Sequence, residues 1–540
     1  MAGVNDELWT ALRRVTWRLV GLGALSGLLA GYAALAVAEL VSAAVRPESG
    51  PVVAVGGAAI DRTPSAVKDW AIQEFGTDDK LILQLGILGV LALGALALGV
   101  LAARHRRLGS AGVLLFGVVG ALAATSRPDS TGITDALPSL VGSVAGAALL
   151  YVLAGRLRQR PVASEGAAAR EDEGEAEGWD RRGFVMAAAA AVAASTAAGL
   201  LGRALNGSQG ANAVASRNKV VLPAPASAAA GVPEGAQPRV PGISSFVTSN
   251  KAFYRVDTAL VVPKVNAETW RLTIHGKGVE RPMTLSFDDL LRRELIERDI
   301  TLTCVSNEVG GPYIGNARWI GVRLADLLAE SGVEPPSRGG PADQLVARSV
   351  DGMTIGTPVD DIMDGRDAML ALGMNGQPLP FVHGFPVRML VPGLYGYVSA
   401  CKWIRDIELT TFDDYDAYWV KRDWAAKAPI KTQSRIDTPK PFARPKAGTV
   451  MVAGVAWAQH RGIDKVEVRV DDGPWQRADL AAEDTRDTWR QWSFPWKATS
   501  GGHTITVRAT DRAGDTQTEK RTRTIPDGAS GWHSVAVTVD

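Results

Sequence analysis

Cys304 has the widest chemical reach of any residue in the chain. It ends the apolar stretch Ile300-Thr301-Leu302-Thr303 and is followed by Val305-Ser306-Asn307. As a thiolate it is a soft metal ligand or a nucleophile. As a thiol it is a small core residue, the usual role of a lone cysteine. Pairing with Cys401, the only other cysteine, is also open in an exported protein. A second group is His383-Gly384-Phe385-Pro386-Val387-Arg388, then Val391-Pro392-Gly393-Leu394-Tyr395-Gly396, Ser399 and Lys402. Cations, a hydroxyl and glycines close together suit an anionic ligand, because arginine offers a planar fork and glycine admits close backbone approach. The plain alternative is a strand and turn with Arg388 in a structural ion pair. A third segment, Phe253-Tyr254-Arg255-Val256-Asp257, reads by itself as a surface ion pair.

These residues need elements to hold them. The chain has 540 residues and a net charge of +1. That length predicts several domains, and nothing in the charge points to nucleic acid. Two cysteines exclude a disulfide framework and a four-cysteine metal site. The six histidines are scattered, without metal-ligand spacing.

Four apolar runs, about 16–44, 81–103, 109–126 and 136–155, are long enough to cross a bilayer as helices and almost free of charge. A fifth, weaker and alanine-rich, covers about 184–202. Clusters at Arg13, Arg14 and Arg18, at 104–107, at Arg156, Arg158 and Arg160, and at Arg181 and Arg182 all fall on the cytoplasmic side if the N-terminus is inside. Five crossings then leave residues 206–540 outside. Asp180-Arg181-Arg182-Gly183-Phe184 also resembles a twin-arginine export signal, which shares that destination.

The expected organisation is a four-helix transmembrane region at 1–160, a cytoplasmic linker at 161–182, and the fifth apolar helix, signal or anchor, at 183–205. A disordered tether rich in Ala, Pro, Ser and Gly follows at 206–242. An α+β catalytic domain is expected at 243–425, with strands at 270–275, 300–304 and 385–391 and helices opening at Phe287 and Val322. Residues 426–540 alternate apolar and polar residues, as in Val466, Val468 and Val470 and in Trp492, Phe494 and Trp496. That pattern predicts an all-β sandwich of immunoglobulin type.

The three chemical segments, in this order, resemble the sulfite-oxidase family of molybdopterin enzymes over about 243–540. Phe-Tyr-Arg255 is similar to the family's first cofactor contact, Thr-Leu-Thr-Cys304 with Asn307 to its ligand strand, and His383 to Arg388 with Lys402-Trp403 to its phosphate motif. The resemblance implies a Mo-molybdopterin cofactor with one molybdenum ion bound by Cys304. Arg388, Lys402 and Ser399 would then face its phosphate, and Arg255, Asn307 and His383 its pterin. It also implies dimerisation through the β domain. Ser399 is the loosest match, since one more residue separates Gly396 from Lys402 than in sulfite oxidases. Where those enzymes have arginines after the ligand cysteine, this chain has Glu308-Val309-Gly310, and Val256-Asp257 stands for their Asn-His. A sulfite dianion is therefore not the expected substrate.

The expectation is a multi-pass protein of the cytoplasmic membrane whose catalytic domain lies on the extracytoplasmic side. It would transfer an oxygen atom or an electron pair to or from a small-molecule substrate. With no intramembrane histidine for haem, a separate redox partner is implied. The competing readings are a non-catalytic binding or assembly protein on a degenerate scaffold and a transporter-like membrane protein.

Overall fold

The computed structural model describes residues 2–64, 67, 70, 71, 74, 75, 79–157 and 181–540, with side chains omitted for 2–16 and 79. The expected linker at 161–182 lies outside the described residues except for Arg181 and Arg182. The chain divides into two units, Met1–Ala211 with Thr258–Val261 and Asn212–Asp257 with Val262–Asp540.

The first unit is helical: α1 (Ala2–Val45), α2 (Pro51–Arg62), α3 (Asp79–Arg104), α4 (Arg106–Thr125), α5 (Leu137–Arg156) and most of α6 (Arg181–Lys219). Among the described residues, five helical segments are long and apolar enough to cross a membrane: Trp17–Val45, Lys80–Arg104, Arg106–Thr125, Ile133–Arg156 and Arg181–Lys219. Small residues let the helices touch backbone to backbone. A Cβ at Gly99 would overlap the carbonyl of Gly23, and one at Gly27 the carbonyl of Ala95. Polar loops are tied by Arg46, which reaches Asp129 at 3.1 Å and Asp135 at 3.0 Å. The first apolar run does contain a carboxylate. Glu39 accepts a hydrogen bond from Asn206 Nδ2 on α6 at 2.9 Å, so its polar group is satisfied between helices.

The second unit carries two sheet systems. The first half contains β1 (Arg271–Gly276), β2 (Met283–Ser286), β3 (Leu295–Thr303), β4 (Ile314–Arg323), β5 (Gln344–Ser349), β6 (Thr354–Pro358), β7 (Met369–Met374), β8 (Gln377–Pro378), β9 (Arg388–Leu390) and β10 (Ile404–Thr410). One sheet runs β2-β1-β10-β5-β6, and the other runs β3-β4-β7-β8 with β9 beside β7. Among the pairs of named strands in these two sheets, β1–β10 is parallel and the others are antiparallel. The expected strand at 385–391 is shorter, because Pro386 has no N–H to give a ladder and pairing starts at Arg388.

The second half is an antiparallel sandwich of β11 (Gln433–Thr438), β12 (Gly448–Trp457), β13 (Ile463–Val470), β14 (Gln476–Arg477), β15 (Asp479–Leu480), β16 (Arg490–Ala498), β17 (Gly501–Asp511) and β18 (His533–Val539). Its sheets are β11-β12-β16-β15 and β14-β13-β17-β18. The inward residues, among them Val466, Val468, Trp492, Phe494 and Val507, form their own core. Val455, Trp457 and Trp489 instead join the core of the first half, so the sandwich packs on its own neighbour.

Residues 206–242 are not a disordered tether in the structure. Residues 206–219 complete α6, where alanines favour helix. Beyond them the chain is stitched to the edge of β3. Ser227 pairs with Ile296, the Glu297 N–H donates to the Ser227 carbonyl at 2.8 Å, and Ala236 is buried in the core. The unpaired edge of β3 supplies hydrogen bonds that composition does not reveal.

Candidate functional site

Cys304 follows directly on β3, whose last residues, Ile300 to Thr303, are buried on both faces. The strand is held on both sides. The β4 ladder runs along one side, from Leu295↔Val322 to Thr303↔Ile314. From the sandwich, Gln459 Nε2 donates to the Thr301 carbonyl and to Thr303 Oγ1, both at 3.0 Å, and the Trp489 N–H donates to Thr301 Oγ1 at 2.8 Å. The Cys304 N–H then donates to the Tyr313 carbonyl at 3.0 Å and closes a loop. Asn307 braces that loop, with its Oδ1 accepting the Tyr313 N–H at 2.8 Å. This is a structural task for Asn307, alongside the pterin contact expected from the sequence.

The two cysteines separate clearly. Neither is in a disulfide, so the pairing of Cys304 with Cys401 does not form. Cys304 is half-buried, whereas Cys401 is fully buried. Burial pushes the Cys401 thiol far up, with Asp351 adding to the shift, so it stays protonated and inert.

The Phe253 segment and the His383–Lys402 segment meet beside this strand. Phe253 is buried and stacks on Tyr254 at 5.1 Å, with its edge to Trp319 and His383 at 5.8 and 5.6 Å. Burial pushes the Tyr254 hydroxyl up, Cys304 adds to this, and Arg388 opposes it, so the hydroxyl feels both groups. His383 Nε2 donates to the Asn250 carbonyl at 2.8 Å, which leaves Nδ1 as the acceptor. Burial, with Arg388, Lys402 and Arg255 nearby, lowers His383 to about 4, so the ring is neutral at pH 7.

Gly384 makes the turn after His383 at φ 113°, and a Cβ there would stand 3.2 Å from both Arg388 Cβ and Lys402 Cα. Glycine thus lets the two cationic segments close on each other. The pairing of residues 387–389 with 401–404 holds them side by side: the Met389 N–H donates to the Cys401 carbonyl and the Ile404 N–H to the Val387 carbonyl. Arg388 is 6% exposed and its buried Nε has no hydrogen-bond partner. Lys402 Nζ donates to Asp257 Oδ2 at 2.6 Å, and Arg255 Nε donates to the same oxygen at 2.8 Å. The Asp257 side chain is 2% exposed, so it is a buried counter-ion rather than a surface partner. Ser399 is also buried, but its hydroxyl donates to the Leu394 and Tyr395 carbonyls, and its proton is spent on the backbone.

The structure therefore brings Arg255, His383, Arg388 and Lys402 together beside the Cys304 strand. Asp257 was read from the sequence only as a surface partner of Arg255, and two further participants were not read at all. Asp351, raised by burial and by Asp257, and Gln459, which comes from the sandwich, have no local signal. Among the described residues no group of three or more His, Cys, Asp or Glu could hold a metal ion. A metal at Cys304 must then bring most of its own ligands. A cofactor with soft sulfur donors and an anionic tail fits this donor set and the orphaned Arg388 Nε.

Comparisons with known proteins agree on this region. The model of the oxidoreductase molybdopterin binding domain matches residues 259–419, and that of the Mo-co oxidoreductase dimerisation domain matches 425–540. The chain is similar to mitochondrial sulfite oxidase of Rattus norvegicus, with 30% identity over 294 residues, 46% of this chain and 53% of the relative. It thus spans about half the length of that relative. It is similar to the uncharacterized oxidoreductase YuiH of Bacillus subtilis, with 32% identity over 34% of this chain and 86% of the relative. Among solved structures, sulfane dehydrogenase SoxCD of Paracoccus pantotrophus aligns with a TM-score of 0.47 and 24% identity, over 55% of this chain and 82% of that one.

Proposed function

Because this chain belongs to the sulfite-oxidase family of molybdopterin oxidoreductases, we propose that it is a membrane-anchored oxidoreductase working with Mo-molybdopterin outside the cytoplasmic membrane. One observation carries the reading. The half-exposed thiol stands at the end of a doubly braced strand, and three cations with their buried counter-ion gather beside it.

When bound, the cofactor supplies two-electron or oxygen-atom transfer at molybdenum. The chain's own residues do the rest. Cys304 would give the metal a thiolate. Arg388 and Lys402 would hold the anionic end, and Arg255, which steadies Lys402 through Asp257, would contact the pterin. Neutral His383, with Nε2 spent on a carbonyl, would offer Nδ1 to the pterin as an acceptor. Asn307 braces the loop that carries the sulfur, and Ser399, bound to the backbone, would shape the turn at the phosphate end.

The substrate is small and is not a dianion such as sulfite, because Glu308 and buried Val309 follow the cysteine where cations would be required. Electrons pass to or from a separate redox partner. The basic clusters support an inside N-terminus, so the second unit lies outside the membrane, and Arg181-Arg182 acts as an export signal for the folded domain. The sandwich is immunoglobulin-like and forms a homodimer.

Metal analysis of the full chain from cofactor-replete cells tests the reading. About one molybdenum per chain is expected. In Cys304→Ser, the melting temperature should stay near that of the parent while the molybdenum–thiolate absorption disappears. Molybdenum well below one per chain in the parent protein would refute the assignment.

A further inference from the structure

The outer face of the sheet β14-β13-β17-β18 carries a cluster that the catalytic site does not use. Trp475 and Trp532 meet edge to face at 4.9 Å. Two guanidinium groups lie against them: Arg508 at 4.2 Å from the Trp475 ring centre, and Arg469 at 4.9 Å from Trp475 and 5.2 Å from Trp532. All four side chains are half-buried, and the buried Arg469 Nε has no hydrogen-bond partner. Glu467 lies within the cluster and is shared by Arg508 at 2.9 Å and Lys465 at 3.2 Å. Exposed Arg477 stands opposite Glu467 on β14, and Arg521 packs against Gly531 beside Trp532. The face is therefore aromatic and net positive.

It is also joined to the metal-ligand loop. Trp532 precedes His533, and a Cβ at Gly310 would overlap the His533 ring. His533 is fixed by the Ile436 N–H, which donates to its Nδ1 at 2.9 Å. Arg435 Nη1 donates to the Gly311 carbonyl at 2.8 Å on the same loop. The loop that starts at Cys304 thus ends against the residue next to the tryptophan pair.

We propose that this face docks an acidic one-electron carrier protein, which exchanges electrons with the cofactor site by way of the Cys304–Gly311 loop. The proposal rests on the oxidoreductase reading above. Each encounter moves one electron and changes the carrier's metal by one valence unit, so two encounters complete a two-electron turnover. Aromatic residues and arginine are the groups enriched at interface centres, and a positive rim steers a negative partner. A second copy of this chain is a poor occupant. A two-fold contact through the face would set arginines against arginines.

The test uses full-length holoenzyme in detergent, reduced anaerobically with photoreduced deazaflavin and mixed with oxidised carrier. The probes are acidic succinylated cytochrome c, native lysine-rich cytochrome c and a small neutral dye. At low salt the succinylated probe should accept electrons at least about tenfold faster than the native one, with the advantage shrinking as salt rises. Combining Arg469→Glu with Arg521→Glu should lower the succinylated rate at least about tenfold, with molybdenum content and dye rate unchanged. If that variant fails to fold, the salt dependence of the parent and the Trp475→Leu variant decide. Equal rates for both cytochromes in the parent, or a Trp475→Leu rate equal to the parent's, overturn the proposal. A changed oligomeric state in the charge variant assigns the face to a second copy instead and overturns it as well. A parent protein that lacks molybdenum and cannot reduce the dye overturns the underlying oxidoreductase reading itself.

Discussion

Replacing Asp257 by asparagine removes a negative charge that two cations share. Its Oδ2 lies 2.6 Å from Lys402 Nζ and 2.8 Å from Arg255 Nε. The Lys402 side chain is 9% exposed and that of Arg255 is 30% exposed, so water compensates the lysine far less than the arginine. At an effective dielectric constant of ~20 the lysine contact is worth about 6 kcal/mol before desolvation is counted. Removing one partner of a buried pair costs about 3–5 kcal/mol, and the half-exposed arginine argues for the lower end. About 3 kcal/mol corresponds to a fall of about 6–12 °C in melting temperature for a domain of a few hundred residues. Differential scanning fluorimetry of the detergent-solubilised chain reads this directly. The double variant Asp257→Asn/Lys402→Met should recover roughly half of the loss, because it no longer strands a buried ammonium. A fall of less than about 2 °C in the single variant, or strictly additive losses in the double, would refute the view of Asp257 as the buried counter-ion of this cluster.

Other expectations follow from the same geometry. Asp484 is held up to about 6 by burial and by Asp299, so above pH 6 it carries an unfavourable charge in the folded state. Asp484→Asn should therefore stabilise the protein at pH 7.5 by about 1 kcal/mol, discounted for partial exposure, with the gain shrinking as pH falls through 6 and vanishing only below the unfolded value of 3.8; an equal gain at pH 7.5 and pH 3.5 would contradict this. His533 is lowered to about 4 by burial and by Arg435. The unfolded chain binds that proton first, so the stability His533 contributes is complete above pH 6.5 and is lost as pH falls towards 4. In His533→Gln the melting temperature should fall less steeply over that window, and an unchanged slope would count against the assignment. In the helical unit, Gly99→Leu should sharply reduce the yield of monodisperse protein, because the side chain would drive into the Gly23 carbonyl; normal yield would show that the α1–α3 contact is looser than drawn.

Much of the fold was legible because its signals are local. Five apolar runs became five segments fit to cross a membrane, since helix length and hydrophobicity are properties of contiguous residues. Period-two alternation in 466–470 and 492–496 placed those side chains correctly in the sandwich core. Motif order in the sequence singled out Cys304, Arg255, His383, Arg388 and Lys402, and of these the structure brings the four cationic or imidazole side chains close to one another.

The failures share one cause. Residues 206–242 looked disordered by composition, yet Ser227 is pinned to Ile296 by an open strand edge formed some seventy residues later. Asp257 looked like a surface partner of Arg255, yet Lys402, which arrives from 145 residues away, buries it. Gln459 braces the Cys304 strand from a different sheet system. By itself the sequence determined which elements exist, which faces are apolar and which residue types could bind a metal and an anion. Only the tertiary structure decided which cysteine stays accessible, which carboxylate neutralises the cations and which half of the chain steadies the ligand strand. The reason is physical: propensity and periodicity act over a few residues, while burial, ion pairing and electrostatic shifts depend on neighbours that chain folding alone brings within a few ångströms.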